Sequence, residues 1–127
     1  LDTIHCVVLM NYRYNAKVLD VYDGDTMTLL IDVGFNIHLK EKVRLTGIDT
    51  PEIRTSSTRE KIHGIHVRDY LREMLLGNIV EIETTKEGKF GRYLVDVFYE
   101  DLHINQHLID RGDAKPYDGG KREKWYQ

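Results

Sequence analysis

The chain has 127 residues, with 18 Lys and Arg against 21 Asp and Glu, a formal charge of -3, 41% apolar and 31% charged residues. That length suits one domain rather than two, the balance excludes collagen-like and disordered chains, and the weak acidity removes bulk positive charge as an argument for nucleic-acid binding. Apolar runs are short, as at Cys6 to Met10, far below the roughly 20 residues of a membrane-spanning helix. Cys6 is the only cysteine, so neither an internal disulfide nor a multi-cysteine zinc site can form, and stability must come from packing. A start at Leu1 rather than Met is what a removed or trimmed leader leaves, and the composition is compatible with a secreted or a cytoplasmic protein.

In chain order, a strand is predicted over about Tyr12 to Val21. Clean alternation from Thr26 to Val33 then places Met27, Leu29, Ile31 and Val33 on one core-facing side. After Gly34 a third strand puts Ile37, Leu39, Val43 and Leu45 on one face and His38, Lys40, Lys42 and Arg44 on the other. Helical spacing begins after Ser57, which forms an S-x-x-E capping box with Glu60. It continues through Val67, Leu71, Met74 and Leu75 to a stop at Gly77, with Gly64 costing about 1 kcal/mol relative to alanine. Strands near Asn78 to Thr84 and Arg92 to Tyr99 follow, then a short helix near Asn105 to Arg111 ending at Gly112. This order predicts an α+β, mainly β chain: a five-stranded antiparallel barrel of the OB type, with one helix between strands three and four and a short helix after strand five. The whole chain, 1–127, is expected to be one domain, with its core over about 12–117 and looser ends.

Three polar clusters carry the chemistry. Asp23-Gly24-Asp25-Thr26 crowds two carboxylates, which reads either as an Asp-Gly turn or as part of a cation site. An EF-hand is excluded, because Met27, Thr28 and Gly34 stand where that loop needs an oxygen ligand, a glycine and a glutamate. The second cluster, Val43-Arg44-Leu45-Thr46-Gly47-Ile48-Asp49-Thr50-Pro51-Glu52, brings two further carboxylates into a loop at the end of a core strand, where Pro51 holds Thr50 extended. The third, Lys86 to Arg92, is a basic glycine-containing loop that lets a phosphate approach the backbone. Each cluster alone also reads as a solvated turn. His63 and His66, and likewise His103 and His107, have no acidic third partner in the sequence and are expected to be surface or packing residues rather than zinc ligands.

Together, D-G-D-T, R-L-x-G-I-D-T-P-E and K-F-G-R, in this order over about Ala16 to Ala114, resemble the staphylococcal nuclease (thermonuclease) family. The resemblance implies an OB-type barrel and a calcium-dependent endonuclease. Such an enzyme hydrolyses phosphodiesters of DNA and RNA to 3′-phosphate ends as a monomer, with single strands preferred. It implies that Asp25, Asp49 and the Thr50 carbonyl hold Ca²⁺, with Asp23 beside the metal. Arg44 and Arg92 would grip the phosphate, and Glu52 would orient or deprotonate the attacking water. Lys89 and Phe90 would then meet the terminal phosphate and a base, with Tyr117 the candidate for a second aromatic contact. Phe90 lacks the hydroxyl that a tyrosine carries in the best-known member, and the stretch Lys115 to Gly120 is shorter than that member's tyrosine-rich connection. A C-terminal helix has little room after Gly120, so Trp125 is expected to cap the barrel as a packed aromatic. The rival reading is a non-catalytic OB module that binds nucleic acid or protein. It is disfavoured because Asp25, Arg44, Asp49, Glu52 and Arg92 are all present.

Overall fold

A computed structural model of the chain describes residues 12–84 and 93–126. The elements are β1 (Tyr12–Asp23), β2 (Thr26–Asp32), β3 (His38–Leu45), β4 (Ile48–Asp49), α1 (Thr58–Leu75), β5 (Ile79–Thr84), β6 (Tyr93–Tyr99), β7 (Leu102–His103), α2 (Ile104–Arg111) and β8 (Lys115–Pro116). Strands pair in the order β3-β2-β1-β5-β6-β7, and a β3–β6 contact closes β1, β2, β3, β5 and β6 into the expected five-stranded barrel. The pairings from β3 round to β6 are antiparallel, whereas the closing pair, Val43 to Leu45 against Tyr93 to Val95, is parallel. A chain that crosses through a helix before rejoining the sheet is free to close in that sense, which no local pattern in either strand reveals.

The third strand departs from the expected alternation. Only Val43 and Leu45 are buried, at the end of β3 that pairs with the described residues of β6, while Leu39 and the preceding Ile37 are exposed. In β1 the period breaks differently. Bulges at Leu19 and Tyr22 shift the register against β2, so Val18 and Val21 both face the core although they stand three apart. The Val18 backbone bonds on its other side to the turn after α1, its N–H donating to the Asn78 carbonyl at 3.0 Å while Gly77 N–H donates to its carbonyl at 2.8 Å. Gly77, at φ 79°, ends the helix as the sequence predicts. Arg72 adds a bond from its Nε to the Val21 carbonyl at 3.0 Å, so α1 is tied to the strand that leads into Asp23 and Asp25.

The buried side chains form one cluster, in which Met27, Leu29, Val43, Leu45 and Ile82 of the barrel meet Val67, Leu71 and Leu75 of α1 and Ile104 and Leu108 of α2. Asn105 is the polar exception. Its Oδ1 accepts from Val97 N–H at 3.0 Å, and its Nδ2 donates to the carbonyls of Thr46 at 2.9 Å and Val95 at 3.2 Å. One side chain thus joins α2 to both strands of the parallel closure. Replacing it strands buried backbone groups at about 1–3 kcal/mol each. Asn105→Ala is therefore expected to lower unfolding free energy by roughly 3 kcal/mol in a urea titration, with Asn105→Asp at least as damaging at neutral pH because it turns a carboxylate oxygen toward the Thr46 and Val95 carbonyls.

Candidate active site

The first two polar clusters meet on one side of the barrel. The β1–β2 turn presents Asp23 and Asp25, the end of β3 presents Arg44, β4 presents Asp49, and the chain after it presents Thr50 and Glu52. These residues line a cleft of about 850 Å³ together with Tyr117 and Arg122. Contact between the turn and the loop is close enough to need a glycine, since a Cβ on Gly24 would lie 2.7 Å from Thr50 Cβ. A second glycine seats the loop from behind. A Cβ on Gly64 of α1 would stand 2.7 Å from the Pro51 carbonyl oxygen and 3.0 Å from that of Glu52, so the helix lies against this backbone only because Gly64 has no side chain. The propensity cost predicted for Gly64 is therefore offset by the approach it allows.

Asp25 is buried. Desolvation, reinforced by the neighbouring Asp23 carboxylate, pushes its pKa up to about 7, against the opposing pull of Arg44 and the Thr50 amide. Arg44 Nη2 lies 3.3 Å from Asp25 Oδ2, and the same oxygen accepts from Thr50 N–H at 3.3 Å. The Arg44 guanidinium carbon is 5.8 Å from the centre of the Tyr117 ring. Tyr117 is itself fixed by its N–H to the Gly47 carbonyl at 2.8 Å and by its hydroxyl to the Gly120 carbonyl at 2.7 Å. The Glu52 side chain is exposed to the cleft, while its N–H is held by Glu60 Oε2 at 2.8 Å.

Arg122 completes the arrangement and was not singled out in the sequence. Its Nε donates to Asp49 Oδ1 at 3.0 Å and its Nη2 to the Thr50 carbonyl at 3.3 Å and to Glu60 Oε2, with Glu52 Oε1 3.6 Å from Nε. Trp125 Nε1 donates to the other Asp49 oxygen at 3.1 Å, so this tryptophan belongs to the loop network and does not cap the barrel as expected. Burial alone would raise the Glu60 carboxyl, but the Glu52 amide and Arg122 outweigh it and hold it below the usual range. Desolvation likewise opposes the Arg122 charge, and Glu60 and Asp49 overcome it and raise the pKa.

The capping box forms only in half. Ser57 Oγ accepts from Glu60 N–H at 3.3 Å, but the Glu60 carboxylate turns to Glu52 and Arg122 and leaves Ser57 N–H to Thr55 Oγ1 at 3.2 Å. Beside it, His63 joins Asp113 at 2.9 Å and the Tyr126 hydroxyl at 3.0 Å, a packing role that ties the C-terminal segment to α1. Among the described residues no helix follows α2. Arg92, Lys89 and Phe90 lie outside the described residues.

A profile of the family described as staphylococcal nuclease homologue matches residues 42–127, which include Arg44, Asp49, Thr50 and Glu52. The chain belongs to the staphylococcal nuclease family. Among similar proteins, a thermonuclease of Staphylococcus intermedius is 33% identical over 97 residues, spanning 75% of this chain and 55% of its own length. A thermonuclease of Staphylococcus hyicus is 30% identical over 101 residues, spanning 78% and 57%. An uncharacterized protein of Bacillus anthracis is 35% identical over 100 residues, spanning 76% and 44%. The chain thus spans about half the length of these curated relatives.

In this family background the cleft offers oxygen donors to a calcium ion. Their chemistry fits a hard cation: a buried carboxylate crowded by a second one, a further aspartate and a backbone carbonyl. Their present partners fit less well, since Asp49 and the Thr50 carbonyl accept from Arg122 and Trp125. Among the described residues no three His, Cys, Asp or Glu side chains gather as a metal-holding group.

Two outcomes follow for this member of the staphylococcal nuclease family. Because the folded-state pKa of Asp25 is raised, its favourable contribution is present below the unfolded value of 3.8 and is lost as pH rises through about 7. Asp25→Asn in chelator at pH 8 is therefore expected to be more stable than the unsubstituted chain, on the order of 1–3 kcal/mol by chemical denaturation. Arg122→Ala leaves Asp49 and Glu60 as buried carboxylates without their cation and is expected to cost roughly 3 kcal/mol. Adding Glu60→Gln should return part of that loss, and a double-mutant cycle with no coupling would separate the two residues.

Proposed function

We propose that the chain is a metal-dependent nuclease that cleaves phosphodiester bonds of DNA and RNA in this cleft. The observation that carries the reading is the convergence of Arg44, Asp25 and the Asp49–Glu52 loop on one open cleft in a member of the staphylococcal nuclease family. Nuclease and thermonuclease names among its relatives support the same reading.

Phosphodiester hydrolysis gathers negative charge on the phosphoryl oxygens, so fixed positive charge must already face them. Arg44 meets that need. Asp25 holds one edge of its guanidinium, and the remaining N–H donors of the planar fork are available to a phosphate oxygen. Glu52 suits the water-side role, because Glu60 fixes its backbone while its carboxylate stays open to the cleft and can accept a proton. Calcium held by Asp25, Asp49 and the Thr50 carbonyl would supply a second positive charge and acidify bound water. Arg92 is proposed as the second phosphate grip, compensating charge on the leaving oxygen rather than donating a proton. Lys89, Phe90 and Tyr117 are proposed for the terminal phosphate and base, and of these Tyr117 stands over Arg44.

A second reading, a binding module without catalysis, draws on the engagement of Asp49 by Arg122 and Trp125. Degradation of heat-denatured DNA with calcium, then with excess chelator, separates the two. Calcium-dependent cleavage that Glu52→Gln slows at least 100-fold in kcat, with nucleotide affinity changed less than threefold, is the expected result (on the order of general-base effects). Binding with no cleavage at any calcium concentration identifies the module.

A further inference from the structure

We infer that the outward face of β3 is a track for the single strand of nucleic acid leaving the cleft, with successive phosphates met by Arg44, Lys42 and Lys40. The inference rests on the nuclease reading for its starting point at Arg44 and goes beyond it in naming how a longer substrate is held.

Four basic or imidazole side chains, His38, Lys40, Lys42 and Arg44, alternate along this strand and share its outer face. Residues two apart on a strand are about 6.8 Å apart, roughly the spacing of successive phosphates in an extended single strand. Arg44 lies inside the cleft, while Lys42 and Lys40 are exposed and lead away from it. Lys42 is also held in place. Its Nζ sits 4.5 Å from the centre of the Tyr22 ring, which the β1 bulge turns outward. Of the neighbouring acids, Asp20 pairs with Arg72 at 3.6 Å, and Asp32, which accepts from Gly34 N–H at 2.9 Å, stands opposite His38 at the far end of the strip, beyond Lys40 and Lys42. Across the sheet the partners of Lys42 and Lys40 are the uncharged Thr28 and Leu30, which are followed on β1 by the Arg72-paired Asp20 and by Lys17. A positive strip therefore survives on a chain whose net charge is -3. A solvated strand would alternate charge in the same way, but it would not need to begin at the arginine that lines the cleft or to face the uncharged Thr28 and Leu30 across the sheet.

The test compares the unsubstituted chain with Lys40→Ala/Lys42→Ala, using a thymidine dinucleotide and a 12-mer of thymidylate. Turnover and fluorescence anisotropy are both measured across a salt series. Dinucleotide turnover is expected to be unchanged, while kcat/KM and affinity for the 12-mer fall about tenfold and the log–log salt slope becomes shallower by about 1.4, two phosphates at ~0.7 each. Lys40→Arg/Lys42→Arg should restore the 12-mer, and Lys61→Ala on α1 should leave the slope unchanged. An unaltered 12-mer slope in the alanine variant, or no binding of the 12-mer to the unsubstituted chain, overturns the track. Binding of the 12-mer with the expected change in slope, but no cleavage of either substrate, overturns the nuclease reading and leaves the track standing.

Discussion

The guanidinium of Arg122 stands among the carboxylates of Asp49, Glu52 and Glu60, and the loop that carries the candidate site is shaped around it. Asp49 belongs to a two-residue strand that, among the described residues, pairs only with the short β8, so the sheet contributes little to holding the segment that follows. Charge does the rest. Glu60 reaches from the first turn of α1 to the Glu52 amide, Arg122 reaches from the C-terminal segment to Asp49 and the Thr50 carbonyl, and the two meet. Because both ions are largely withdrawn from water, either one alone would be costly to keep, which makes the loop, the helix start and the C-terminal segment a single unit.

Carboxylates gathered into one cleft repel one another unless they are protonated or paired with positive charge. Here the two halves solve this differently. Asp23 and Asp25 remain crowded, and Asp25 responds by holding its proton toward pH 7. Asp49 and Glu60 are instead neutralised by a residue of the same chain. One half of the cleft therefore relieves its crowding by protonation at Asp25, while the other half is neutralised by Arg122 of the same chain.

Local structure was highly legible in the sequence because its signals are local. Alternation in β2, the cap at Ser57, the stop at Gly77 and the αL residue Gly112 each act within a few residues, and each appears where expected. The candidate site was legible in its residue types: Arg44, Asp25, Asp49, Thr50 and Glu52 do come to one cleft, and Tyr117 joins them. Glu60 and Gly64 were visible only as a capping residue and a weak helix position. Their tertiary roles depend on what packs against α1, which sequence spacing does not encode.

By itself the sequence determined the order and approximate limits of the five barrel strands and two helices, the barrel class and the motif that marks the family, but not the short strands β4, β7 and β8, since the former follow from periodicity, caps and short contiguous residue patterns. Only the tertiary structure decided the parallel closure of β3 on β6, the bulges that turn Tyr22 outward, and the pairing of Arg122 with Asp49 and Glu60 across 73 and 62 residues of chain. Such contacts depend on which surfaces meet when the barrel closes, and a buried charge finds its partner in space rather than along the chain.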